Sequence, residues 1–147
     1  MFKNILIPVD LEDTGFALQA IEVALRELDN QAGKLHLLTV IPGFTSPLVA
    51  SFFDQASIDQ AHKAVDQRLS EFASEAVPSV VPCDLAVKQG QAADTIIEHA
   101  KETDVDLIIM AAHHRGVLDH ALLGSVSSRV VERAECSVTV LRQWSKD

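Results

Sequence analysis

Short, almost unbroken apolar runs recur along this chain, and segments with helical spacing lie between them. The runs include "KNILIPVD" from Lys3, "KLHLLTVI" from Lys34, "VDLIIMAA" from Val105 and "SVTVLR" from Ser137. A strand with one wet face alternates apolar and polar side chains. A strand that is apolar at successive positions needs cover on both faces, which is the situation inside a parallel sheet. Parallel neighbours need crossover connections, and the intervening segments can supply them. Leu18, Ile21, Leu25 and Leu28 repeat at helical spacing after Asp13 or Thr14 as a cap, with Gly33 closing the helix. Ile58, Ala61, Val65, Leu69, Phe72 and Ala76 share a second stripe, stopped by Pro78.

"CDLAVKQG" from Cys83 reads as a further strand, followed by a short helix with Ile96, Ile97 and Ala100 facing inward. A last helix carries Val126, Val130 and Ala134 on one side. The order β-α-β-α-β-α-β-α-β predicts an α/β protein: a single open, doubly wound, five-stranded parallel sheet of Rossmann-like type, with helices on both faces. At 147 residues it is expected to be one domain, 1–147. "VDLIIMAA", the most apolar strand, is expected at the centre, and "SVTVLR" at an edge. Pro42–Ala56 is the longest irregular stretch. Its Phe44, Phe52 and Phe53 are expected to anchor the loop to the core, a lid over a ligand being the other reading. The tail "QWSKD" is expected to be loose.

Charge narrows the partners. A net charge of −9 sets a repulsive field against nucleic acid and anionic membranes, so neither is expected as a partner. No apolar run reaches the roughly 20 residues of a membrane helix. "MFKNILIPVD" has no cationic leader or cleavage site, so a cytoplasmic location is expected. Cys83 and Cys136 form no C-x-x-C and are expected as buried thiols.

In a doubly wound sheet, ligands bind beyond the carboxyl ends of the strands, where strand order reverses. Asp10 ends the first run, Val40 and Ile41 the second, and "AAHHRG" leads from the fourth toward Gly124-Ser125. Gly124-Ser125 opens the last helix. Its first amides have no internal acceptor and sit at the positive end of the macrodipole, which suits an anion. Ser127 lies two residues on. No G-x-x-x-x-G-K-[ST] and no G-x-S-x-G occurs, so neither a P-loop phosphotransferase nor a hydrolase elbow is supported. A metal site from His113, His114 and His120 lacks a completing carboxylate or thiol at suitable spacing, and no metal is expected. His36, His62 and His99 are expected as surface or half-buried residues, and Arg129 and Arg133 on a solvated helix face beside Glu132 and Glu135.

Taken together, "ILIPVD", "LLTVIPG", "VKQGQAADTIIEHA", "VDLIIMAAHH" and "LLGSVSSRVVERAECSVTVLR" resemble the universal stress protein family, from Lys3 to Arg142. The resemblance is to the branch with "TVIP" after the second strand and a glycine-poor phosphate loop. The ATP-binding members carry G-x-x-G, nine residues, then G-[ST]. Here Ala111 and His114 stand at the two upstream glycine positions, and Gly124-Ser125 is intact. Gly90 matches a turn glycine, and Ala92 stands where the family usually has proline.

The resemblance implies a nucleotide site. Pro8, Val9 and Asp10 would border adenine and ribose, with Asp10 accepting from a sugar hydroxyl. Val40 would meet adenine, and Ala111 would replace the glycine near the ribose. His113, His114 and Arg115 would flank the phosphates, and Gly124, Ser125, Val126 and Ser127 would present amides and hydroxyls to them. The implied ligand is ATP or AMP, with or without Mg²⁺. The implied role is a dimeric stress-response regulator with at most slow hydrolysis, no catalytic residues and an unidentified regulatory protein partner. The homodimer would pair the edge strand Ser137–Arg142, with Trp144 near the interface. A relative acting through protein contacts alone is the other reading, because Ala111 and His114 depart from the pattern.

Overall fold

A computed structural model describes residues 1–43, 48, 51–52, 54–112 and 123–142 of the chain. Strands and helices alternate: β1 Asn4–Pro8, α1 Gly15–Glu27, β2 Lys34–Ile41, α2 Gln55–Ala76, β3 Cys83–Gln89, α3 Ala92–Glu102, β4 Leu107–Ala111, α4 Ser125–Arg133 and β5 Ser137–Leu141. The strands form one parallel five-stranded sheet in the order β3-β2-β1-β4-β5. The doubly wound α/β fold is therefore present, with β5 at an edge. The centre belongs to β1, not to "VDLIIMAA". Strands β1, β2 and β4 are all interior, each covered on both faces, so apolar content cannot rank them.

Alternation along β1 feeds two cores. Ile5, Ile7 and Val9 pack with Leu35, Leu37 and Ile109 under α1 and α2. Leu6 packs with Leu38, Ile108 and Met110 under α3 and α4. The buried stripe of α1 is Ala17, Ala20, Ile21 and Ala24, while Leu18 is 50% exposed. Alanines let the helix axis approach the sheet, so a stripe drawn through the largest apolar residues is rotated from the true one. Thr14 occupies the cap position of α1 without a side-chain hydrogen bond. Helix α2 starts at Gln55, where the Asp54 carboxylate caps it by accepting from the Ser57 N–H at 2.7 Å. On α2 only Leu69 and Ala73 are fully buried, and Ala61 is exposed.

Other expectations are corrected. Phe52 is 77% exposed and anchors nothing to the core. Phe44 and Phe53 lie outside the described residues, as do Trp144 and the tail from residue 143. His36 and His99 are buried, whereas His62 is half-buried, within what was expected. Both cysteines are free and half-buried. Burial, with Asp84 nearby, pushes the Cys83 thiol up to about 11, and burial raises Cys136 as well, so neither is an activated nucleophile. Arg129 faces Asp94 on α3 at 3.2 Å, and Glu135 meets Lys101, so the expected pairing of neighbours along the last helix is replaced by ties to α3.

Candidate functional site

The chain runs outward from β1 to β3 on one side, then returns to place β4 and β5 on the other. The reversal lies between β1 and β4. There the residues themselves open a crevice. Even-numbered residues of β1 turn their peptide groups toward β4, since the Asn4 carbonyl accepts from the Asp106 N–H at 3.0 Å. Pro8 has the same orientation and no N–H to give. Pairing of β1 with β4 stops at Leu6–Ile108, although β4 continues to Ala111.

Val40 is oriented in the same way. The Lys34 N–H donates to the Lys3 carbonyl and the Leu38 carbonyl accepts from Val9, so even-numbered residues of β2 face β1. Leu35 donates to Pro82 and the Ile41 carbonyl accepts from Gly90, so odd-numbered residues face β3. The Val40 peptide groups therefore point to the β1 side, beyond the last paired residues Pro8 and Leu38. A parallel strand that outlasts its neighbour offers one N–H and one C=O to whatever fills the gap. On the far side of β2, Gly90 closes the strand end with φ +153°, and a Cβ there would lie 2.7 Å from the Thr95 hydroxyl, so only glycine fits without strain.

A cavity of about 520 Å³ fills this region at the carboxyl ends of the strands. It brings together Pro8, Val9, Asp10, Val40, Ala111 and Val126 from the residues singled out in the sequence. Its apolar wall adds Leu38, Ile41, Phe16, Val65 and Ile96, among others, which suits a flat, largely apolar ring. Asp10 is exposed at the rim, where its carboxylate accepts from the Glu12 N–H at 2.9 Å. Its carbonyl accepts from the Asp13 N–H at 3.1 Å, closing a turn.

Gly124 precedes α4 in extended conformation. The first bond of the helix runs from the Ser128 N–H to the Gly124 carbonyl. The N–H groups of Ser125, Val126 and Ser127 therefore lie ahead of the helical ladder and have no acceptor within it. Ser125 is exposed, whereas Ser127 is buried and donates its hydroxyl proton to the Gly124 carbonyl at 3.1 Å. That side chain is committed to its own helical turn. His113, His114, Arg115 and His120 lie outside the described residues. Among the described residues no group of three His, Cys, Asp or Glu side chains is placed to hold a metal ion.

Three contributors escaped sequence reasoning. The buried Thr39 hydroxyl donates to the Val9 carbonyl at 3.1 Å and ties β2 to the rim of β1. Arg68 of α2 reaches across the cavity wall to Leu11 and Glu12. Alternation could have flagged Thr39 as a polar residue in an apolar run; nothing in the local sequence marks Arg68 or Glu12.

Comparison with known proteins agrees with this geometry. The model of the universal stress protein family matches residues 1–142. A universal stress protein of Thermus aquaticus is 30% identical over 142 residues, 97% of this chain and 100% of that one. The solved structure of UspA from Lactobacillus plantarum has a TM-score of 0.67 at 25% identity, covering 95% of this chain and 97% of that one. A family protein from Arabidopsis thaliana, solved with AMP bound, has a TM-score of 0.61 at 20% identity, covering 99% and 94%. Two further family structures were solved with cAMP and with dAMP, the latter from Archaeoglobus fulgidus. Their TM-scores are 0.59 and 0.62 at 21% and 17% identity, covering 95% and 94% of this chain and 96% of each neighbour. By its match along the chain, its sheet order and its relatives, this chain belongs to the universal stress protein family.

Proposed function

We propose that this protein binds an adenine nucleotide, ATP or AMP, in the cavity at the β1–β4 reversal and acts as a dimeric cytoplasmic regulator rather than a catalyst. The observation that carries the reading is that the exposed Asp10, Val40 with its peptide groups turned to the β1 side, and Val126 in the first turn of α4 line one cavity. Adenine lies against the apolar wall and uses the Val40 peptide. The ribose meets Asp10, with Ala111 close by in place of glycine. The phosphates meet Ser125 and the amides of Val126 and Ser127, with His113, His114 and Arg115 on their other side. Any Mg²⁺ arrives on the ATP phosphates. Family structures with AMP, dAMP and cAMP support the ligand class. The edge position of β5, with Val138, Val140 and Leu141 half-buried, supports pairing of two copies along Ser137–Arg142.

Equilibrium dialysis with labelled ATP and AMP, with and without Mg²⁺, tests the ligand. Saturable binding is expected, and none at millimolar nucleotide refutes the reading. Ser125→Asp sets a carboxylate against the phosphates while suiting the helix N-terminus, so the variant folds and loses AMP. Unchanged AMP affinity in that variant refutes the placement of the phosphates.

A further inference from the structure

We infer that Arg68 is a positioning residue for the nucleotide site: it tethers the β1–α1 turn from helix α2 and thereby fixes the carboxylate of Asp10. The inference rests on the nucleotide reading above. The turn Asp10–Asp13 is stitched internally by two bonds, from Glu12 N–H to the Asp10 carboxylate and from Asp13 N–H to the Asp10 carbonyl. Both bonds are internal to the turn. Leu11 packs its side chain against the core under α1 and α2, and Arg68 adds a polar tie from 56 residues away. Its Nη2 donates to the Leu11 carbonyl at 3.0 Å and its Nη1 to the Glu12 carboxylate at 3.2 Å.

The two contacts fall on consecutive residues directly after Asp10, and the N–H of the second is the one that holds the Asp10 carboxylate. A guanidinium is suited to this because its donors are spread in a rigid plane and can grip two acceptors at a fixed separation. Each contact is partly solvated, with side chains 51% and 76% exposed, so the pair adds little to global stability. Its consequence is local. A carboxylate on a turn that has lost this polar tie samples more orientations, and a ligand must then order it at an entropic cost. Arg68 also lines the cavity beside Val65, and methionine in its place keeps the aliphatic stem of that wall while removing the two bonds.

The tether makes a prediction that a structural or purely electrostatic role does not. If Arg68 acts through Asp10, its loss matters only to ligands that carry ribose hydroxyls. Affinities of the full-length protein for AMP, adenosine and 2′,3′-dideoxy-AMP are measured for wild type, Arg68→Met, Arg68→Lys, Asp10→Ala and Asp10→Ala/Arg68→Met. For Arg68→Met, AMP and adenosine weaken alike, by about threefold to tenfold. Dideoxy-AMP is unchanged, Arg68→Lys restores part of the loss, and the double variant is no weaker than Asp10→Ala. Equal weakening of dideoxy-AMP, or a loss confined to phosphate-bearing ligands, overturns the inference. So does an additive double variant.

Amide hydrogen exchange in the nucleotide-free protein supplies a separate reading. The Glu12 and Asp13 amides exchange faster in Arg68→Met, with the β1 amides unchanged; protection equal to wild type overturns the tether even where nucleotide binds. A wild type that binds neither AMP nor adenosine refutes the nucleotide reading and Arg68's role in it together, and is told apart by failing before any variant is made.

Discussion

The two cores either side of the sheet are built from the same strands but differ in kind. Under α1 and α2 the buried layer is aliphatic, and its one buried polar side chain among the described residues, Thr39, is bonded at the cavity rim. Under α3 and α4 the layer includes His36, Thr95, His99 and Ser127. His36 holds Asn4 at 3.0 Å through Nε2, while His99 Nδ1 is buried with no hydrogen-bond partner. One layer is held chiefly by packing. The other carries groups whose charge can change near neutral pH, and the two should respond to different insults.

The largest effect tests the first layer. Leu37 is fully buried among Ile5, Ile7 and Leu69. Leu37→Ala removes buried methyl groups from a tightly packed region and costs about 2–5 kcal/mol. Urea denaturation at pH 8 and pH 5.5 should give the same loss at both, because no fully buried titratable side chain lies in that layer among the described residues. A loss that changes with pH breaks the contrast.

Acidification tests the second layer. Burial holds His36 below the ordinary histidine value of 6.5, and burial also lowers His99, helped by Lys88 and by His36 itself. Asp84 and Glu102 pull the other way, and Lys34 adds to the lowering of His36. The native state therefore binds these protons less readily than the unfolded chain. Stability is complete above about 6.5 and declines as pH falls from there through the lower native values. Asp29 is held low by hydrogen bonds from the Ala32 and Gln31 N–H groups, and Asp54 by the Ser57 hydroxyl and then the Ser57 N–H, so their contribution is lost only in more acidic solution. Denaturation midpoints between pH 7.5 and 5 should fall, and His99→Gln should flatten the fall. A midpoint unchanged over that range contradicts the buried, neutral state of both imidazoles.

The same contrast explains what could be read from the sequence. The strand runs at Asn4, Lys34 and Leu107 are long in apolar content because they are covered twice, and that is visible one residue at a time. So is Gly124-Ser125 at the start of a helix. Sheet order is not visible locally, which is why β4 was expected where β1 lies. The burial of His36 and His99 depends on two elements meeting, β2 and α3, and a lone histidine in a helical pattern gives no sign of it. Leu18 misled for a related reason: a large apolar side chain signals burial, but α1 approaches the sheet through its alanines. Arg68 was illegible because its partners, Leu11 and Glu12, are remote in sequence and unremarkable in type.

The smallest effect gives the sharpest test, because the two halves of one ion pair should act in opposite directions. Lys88 and Glu102 meet at 2.6 Å on the rim of the second layer, with 34% and 50% of their side chains exposed. An exposed pair of this kind barely changes stability at neutral pH. Its influence on His99 is another matter. Lys88 disfavours a second positive charge nearby, and Glu102 favours it. Lys88→Met should therefore raise the His99 pKa toward 6.5, narrowing the gap from the unfolded chain and making the protein more tolerant of acid. Glu102→Gln leaves Lys88 uncompensated, lowers the His99 pKa further and makes the protein more sensitive to acid. NMR titration of the His99 ring in both variants reads this directly. Shifts of the same sign would mean that the pair acts on His99 through packing rather than charge, and the second layer would then differ from the first in composition but not in the physics that holds it.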